Sequence, residues 1–281
     1  MTSLLLANPL DPSPDTLHER AQALRRGLLI VNADDWGGYP EMTDATHRCF
    51  EAGAISSTTA MMYMQDSDRA AELALSAGIP TGLHLNLTQP FEDPATPSGV
   101  RERQRKLTTR FRRRQLRRWT YDPSLRGLFE RVIFDQFERF HELYGRAPVH
   151  VDGHEHAHLA FNVIFCSALD KGTALRCGGT VTGSPARRLR QWILKRRFRT
   201  PDLLRGFESF YPRWDRLSEE LAVAHERSLE VSTHPGWPDN YARLLSSQWI
   251  DALSEHRLGS YADLPVQGAL LSEPAYSSGG R

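Results

Sequence analysis

Four of the eleven histidines fall within nine residues, in His150-Val-Asp-Gly-His-Glu-His-Ala-His158. A buried imidazole needs a hydrogen-bond partner, so an apolar core rarely gathers four of them, whereas a metal ion supplies a partner directly. The plainer reading is a solvated polar loop. Three further places offer the same donor types: the paired carboxylates Asp34 and Asp35, then His84, then His234 ahead of Pro235-Gly236. Taken singly, a paired Asp is commonly a turn or helix cap and a lone His a structural residue. Taken together, the set is large enough for an open metal site. One carboxylate and two neutral imidazoles suit Zn²⁺ or another divalent ion, and the remaining carboxylate and histidine are then available as base and acid.

The elements that would have to position these residues can be read from the periodicity. Residues 27–32 are a short apolar run rich in β-favouring types, ended by the two aspartates and Gly37-Gly38, and they predict a buried strand that delivers carboxylates to a loop. Helical patterns over 42–52 and 66–77, each followed by Gly, alternate with strands over 57–62 and 81–87. In the last of these, alternation sets His84 and Asn86 on one face and Leu83, Leu85 and Leu87 on the other. Further helices are expected over 124–144, 160–171, 217–227 and 244–256, and further strands over 149–152, 174–177 and 229–233. This βα alternation predicts parallel strands in an open sheet or barrel. The candidate residues then all fall at or near strand C-terminal ends, on one rim, where such folds place their active sites.

The chain has 281 residues, 40% hydrophobic and 25% charged, which fits one globular α/β domain. No apolar run approaches the roughly 18 residues of a membrane span, and the opening Leu4–Leu6 stretch is too short for a signal peptide. Three scattered cysteines, Cys49, Cys166 and Cys177, make neither a disulfide framework nor a Cys-based zinc site. These features place the expected enzyme in the cytoplasm. Residues 1–26 read as an N-terminal extension, 27–265 as the domain, and the Ser/Gly-rich 266–281 as a disordered tail.

The net charge of +1 hides a division. Residues 101–118 carry ten Lys/Arg and one acid, residues 187–199 seven Lys/Arg and none, so these +9 and +7 segments leave the remaining chain at −15. Both are expected to lie in insertions, near 89–120 and 180–206, the first as a mobile loop.

Four motifs, Val31-Asn-Ala-Asp-Asp-Trp-Gly37, Gly82-Leu-His-Leu-Asn-Leu-Thr88, the 150–158 histidine run and Glu230-Val-Ser-Thr-His-Pro-Gly236, resemble in order and spacing those of the YdjC-like (ChbG) carbohydrate deacetylases. The resemblance implies a distorted (β/α) barrel of the polysaccharide-deacetylase type that removes acetyl groups from N-acetylated sugars with a divalent metal, Mg²⁺ or Zn²⁺. It implies Asp35, His84 and His154 as metal ligands, Asp34 as general base and His234 as general acid. Asp152 or Glu230 would orient a ligand histidine, and His156, His158, Trp36 and Asn86 would lie behind or along the pocket. The sequence departs from the family pattern at Trp36 (commonly Phe), Gly153 (commonly Ser) and Gly38-Tyr-Pro40, which bears on the pocket wall rather than the chemistry.

Two other function classes compete. A metal-dependent phosphoesterase uses similar Asp/His clusters, usually with more bridging carboxylates. The basic segments, interleaved with Phe111, Trp119, Trp192 and Phe198, fit a nucleic-acid or anionic-membrane surface, attraction of an anionic or lipid-linked glycan, or a homodimer contact.

Overall fold

The computed structural model describes residues 27–112, 120–177 and 185–265. The 1–26 extension, the 266–281 tail and residues 113–118 of the first basic segment lie outside the described residues. Strand β1 (Leu28–Trp36) is followed by α1 (Pro40–Glu51), β2 (Ser57–Ala60), α2 (Ser67–Ala77) and β3 (Thr81–Leu85). Then come α3 (Ser98–Arg112), α4 (Arg126–Tyr144), β4 (Val151–Gly153), a 3-10 turn (His154–Leu159), the short α5 (Phe161–Ile164) and α6 (Pro185–Arg197). Strand β5 (Leu203–Gly206), α7 (Leu217–Leu221), β6 (Ser228–Thr233), α8 (Pro238–Leu244), α9 (Ser247–Ser254) and β7 (Leu258–Gly259) complete the chain.

All strand pairings are parallel, in the order β4-β3-β2-β1-β6-β5 with β7 also on β1. Single bridges from Val151 to Leu175 and from Ala174 to Arg199 carry the sheet past β4, so it curls into a half-barrel with helices outside, the distorted β/α barrel expected. Nine consecutive buried residues make β1 the central strand, as a sheet covered on both faces requires.

Alternation along β1 sorts its side chains. Leu29 and Val31 join Phe207, Phe210 and Trp249 under the outer helices, while Leu28 and Ile30 point into the curl beside Ala174, Tyr261 and Leu264. The C-terminal segment thus closes the floor of the half-barrel with apolar groups. One and two strand repeats further on, the same inner face of β1 carries Asn32 and Asp34, both buried.

Several sequence expectations are corrected. The stretch 89–120 is not simply a loop: α3 presents Val100, Leu107 and Phe111 to the large apolar cluster, spaced as one helix face. The expected 160–171 helix stops at Ile164, because the Asn162 side chain is bound to the Asp122 backbone and the Arg197 guanidinium takes the Cys166 and Leu169 carbonyls. Residues 174–177 form bridges rather than a strand. The 217–227 helix tightens after Leu221 into a 3-10 turn. The expected 244–256 helix is α9, which starts only at Ser247 because the Ser246 side chain caps the Trp249 amide, and α8 ahead of it was not foreseen.

Candidate active site

Strict alternation would send Asp34 and Asp35 to opposite faces of β1. The β1–β2 register slips between Ala33 and Trp36, and Asp35 adopts φ 64°, a left-handed conformation that Asp tolerates better than most residues. Both carboxylates are therefore turned to the same rim. His84 lies in register with Asp152 across β3 and β4, and this pairing sets its Nδ1 2.7 Å from Asp152 Oδ1. The opposite ring nitrogen, Nε2, lies 3.2 Å from Asp35 Oδ1. His154 follows the end of β4, its Nδ1 2.7 Å from the Thr88 hydroxyl and its ring 6.0 Å from that of His84. His234 follows β6, with Nε2 4.0 Å from both Asp34 Oδ2 and Asp35 Oδ2. The structure therefore gathers Asp34, Asp35, His84, His154 and His234 from four strands.

Behind them is a residue that sequence reasoning missed. Arg176 is wholly buried and donates to two carboxylates: Nη1 and Nη2 to the two Asp34 oxygens at 2.7 and 2.6 Å, and Nε to Glu230 at 2.8 Å. Its Nη2 also lies 2.7 Å from Asp152 Oδ2. Thr59 donates to that same Asp152 oxygen, and Asn32 donates to Asp34 Oδ1. Glu230 is held from the other side by the Tyr261 hydroxyl, and the Tyr261 ring stacks on His150 at 3.7 Å. A continuous chain of contacts thus runs from the apolar floor to the rim: Tyr261, Glu230, Arg176, Asp34. The only sequence signal for Arg176 was its place just after the apolar Ala174-Leu175 pair.

The charges follow from this geometry. Burial alone would raise the Asp34 pKa, but Arg176, with help from His84 and His234, holds it far below the usual carboxylate range. Asp152, against the same burial cost, is held at about 2 by Arg176 and His84. Burial wins at Glu230, which is pushed up to about 7 despite Arg176 and Tyr261. Burial would lower the His84 pKa, yet Asp152, Asp35 and Asp34 hold it well above its ordinary value. Burial, seconded by the charge on His84, lowers the His154 pKa, leaving a neutral ring.

The other sequence candidates take supporting places. Trp36 is not a pocket wall: it is fully buried and its indole donates to the Ala70 carbonyl. Asn86 is buried, its Oδ1 accepting from the Thr88 and Gln89 amides. His158 is wholly buried and burial takes its pKa well below the ordinary value, whereas His156 is exposed, on backbone with φ 56°. Gly153 is needed as Gly, since a Cβ there would lie 2.9 Å from the His158 amide nitrogen. Trp237, also unforeseen, stacks on His234 at 4.2 Å and is 48% exposed, which leaves an aromatic surface at the rim.

Buried Asp/His/Glu groupings that could hold a metal occur twice among the described residues, as Asp34–His84–Asp152 and His150–Asp152–Glu230. Both share Asp152 with the Arg176 guanidinium, which already fills the cation's place beside these carboxylates. The set nearer the rim is better suited. Asp35 Oδ1 is buried without a hydrogen bond, and Nε2 of His84 faces it while Asp152 holds Nδ1. A carboxylate on the far nitrogen is the usual support of a ligating imidazole.

The family model described as YdjC-like protein matches residues 28–264. The chain belongs to the YdjC-like family. It is 30% identical to the chitooligosaccharide deacetylase of Escherichia fergusonii, over 84% of this chain and 99% of that one. The chitooligosaccharide deacetylases of an Enterobacter species and of Yersinia pestis are each 29% identical over 84% of this chain, covering 99% and 98% of their own lengths. Among solved structures, a candidate cellobiose-phosphate cleavage protein of Enterococcus faecalis superposes with a TM-score of 0.63 at 20% identity, over 84% of this chain and 98% of that chain, which shows a shared fold.

Proposed function

We propose that this YdjC-like protein is a metal-dependent carbohydrate N-deacetylase that removes acetyl groups from short N-acetylated sugar chains. The observation that carries the reading is Asp35 Oδ1, buried without a hydrogen bond and facing a His84 whose other nitrogen is occupied by Asp152. Asp35, His84 and His154 would hold the ion, and two imidazoles with one carboxylate favour Zn²⁺ over Mg²⁺. Bound there, a divalent cation lowers the pKa of water and polarises the acetyl carbonyl.

The chain's own residues supply the proton transfers. Asp34 is kept ionised and fixed in direction by the two-pronged Arg176 contact, and its Oδ2, on the side of His234, is the oxygen placed to take a proton from water. His234, held flat against Trp237, is placed to give a proton from Nε2 to the departing sugar nitrogen; such positioned acids and bases contribute on the order of 10²–10⁴-fold each. The exposed face of Trp237 offers an apolar platform for a pyranose ring. The names of the relatives point to an N-acetylglucosamine oligomer as the substrate.

A two-metal phosphoesterase is less well supported, because Asp34, Asp152 and Glu230, the carboxylates it would need for bridging, are bound to Arg176. Metal analysis of the purified protein tests the assignment together with acetate release from N-acetylglucosamine oligomers. One equivalent of metal is expected in the native chain and much less in His84→Ala or His154→Ala. Full metal retention in both variants overturns the ligand set.

A further inference from the structure

The second basic segment folds as α6, along which Arg188, Leu189, Trp192, Lys195 and Arg196 are exposed. These positions recur at intervals of one, three, three and one, which places all five on one face of a helix. Leu189 is 54% exposed and Trp192 53%, and the Arg196 guanidinium lies 4.4 Å from the centre of the Trp192 ring. Soluble surfaces rarely set large apolar side chains together unless something covers them.

The face continues beyond the helix. Trp192 and Ile193 line an open cleft of about 500 Å³ with Phe165, Leu169 and Lys171. Phe165 is itself 44% exposed and meets the half-exposed Tyr121 edge to face at 6.2 Å. Asp170 is the one carboxylate among the residues lining that cleft. The Gly172 amide is bound to the Arg197 carbonyl, so this end of α6 lies where the chain enters the 174–176 bridge segment. Further along that segment, Arg176 contacts Asp34 of the candidate site.

We propose that the outer face of α6, together with Tyr121 and Phe165, docks on an anionic lipid surface. Charge complementarity selects that occupant. The 187–199 segment carries seven basic residues and no acid, on a chain that outside its two basic segments is strongly acidic, so an anionic plane attracts this face and repels the acidic parts of the surface. Exposed Trp, Tyr, Phe and Leu among Arg and Lys is also the composition of surfaces that settle at the headgroup boundary, the cations on phosphates and the rings below them. Docking of this kind holds the enzyme flat against a membrane without a spanning helix, and no helix among the described residues is long and apolar enough to span one.

Vesicle flotation of the full chain tests this, using phosphatidylcholine vesicles and phosphatidylcholine–phosphatidylglycerol vesicles at low and physiological salt. Binding only to the anionic vesicles is expected, weakened by salt. Trp192→Ala and the double variant Arg188→Ala/Arg196→Ala each weaken it by about ten-fold or more, with unchanged circular dichroism and unchanged turnover of a soluble substrate. Absence of binding to anionic vesicles at low salt overturns the proposal. So does binding that both variants leave intact, and so does a shift of the chain to a dimer that these variants abolish while vesicle binding is absent. None of these results touches the deacetylase assignment, which is read separately from acetate release.

Discussion

Helices α3 and α6 both come from arginine-rich stretches. In α3, Val100, Leu107 and Phe111 enter the large apolar cluster, and Arg103 reaches the buried Asp135 of α4 at 2.8 Å. In α6, Leu194 and the following Phe198 are buried, but Leu189 and Trp192 stand outside among Arg188, Lys195 and Arg196. The density of positive charge is similar in the two helices; the placement of apolar residues decides which is built into the body and which presents a surface. Arg176 adds a third case. It belongs to neither run, yet it is fully enclosed by Asp34, Asp152 and Glu230. A charge costs most to remove where water cannot replace its partner, so the importance of these arginines follows their enclosure rather than their number.

The largest effect is expected at Arg176. Arg176→Met leaves three carboxylates facing each other without a cation and is expected to cost about 3–5 kcal/mol of stability, read as a large drop in Tm, together with loss of turnover. A Tm within a degree or two of the parent would break the contrast between interior and exterior charge. Next is the response to acid. Burial holds His150 neutral, with its pKa lowered from 6.5 to about 3, so the unfolded chain binds a proton there that the folded chain does not. Stability contributed by this group is complete above about pH 6.5 and is lost as the pH falls toward 3; His158 acts in the same direction, and Asp152 adds to it below its ordinary 3.8. His84 and Glu230 work oppositely, since their protonated forms are favoured in the folded chain and their contributions fade as the pH rises. Thermal melts from pH 7 to pH 4 are therefore expected to lose less stability in His150→Gln than in the parent; equal slopes would mean that the floor of the barrel is open to water.

A smaller effect belongs to Tyr261. Tyr261→Phe keeps the ring stacked on His150 but removes the donor to Glu230, and is expected to cost about 1–3 kcal/mol and to lower kcat with little change in KM, because its influence reaches Asp34 only through Glu230 and Arg176. A rise in KM alone would contradict that chain of contacts. The smallest effect is expected on the outside. Arg103 is partly solvated, so Arg103→Ala is expected to cost no more than about 1 kcal/mol by chemical denaturation; a loss equal to that of Arg176→Met would erase the ranking.

The site was more legible in the sequence than the shell around it. Asp34, Asp35, His84, His154 and His234 stood out because each lies in or just after a β-like run, and parallel topology brings such ends together. What could not be read is how two adjacent aspartates share a face, since this needs the register slip in β1 and the left-handed backbone of Asp35. Arg176 was hidden because its partners lie 24 to 142 residues away and its own segment has almost no pattern. Helix α3 was hidden by its charge, although Val100, Leu107 and Phe111 already marked a helical stripe. Strand β5, Leu203-Leu-Arg-Gly206, is only four residues long and takes its identity from pairing with β6.

The most direct test of the deacetylase reading is acetate release from an N-acetylglucosamine oligomer by metal-loaded parent protein and by Asp34→Asn. Acetate is expected from the parent and a rate lower by on the order of 10²–10⁴-fold in Asp34→Asn, with the same metal content in both. Metal-loaded parent that releases no acetate, or an Asp34→Asn protein that releases it at the parental rate, would contradict it.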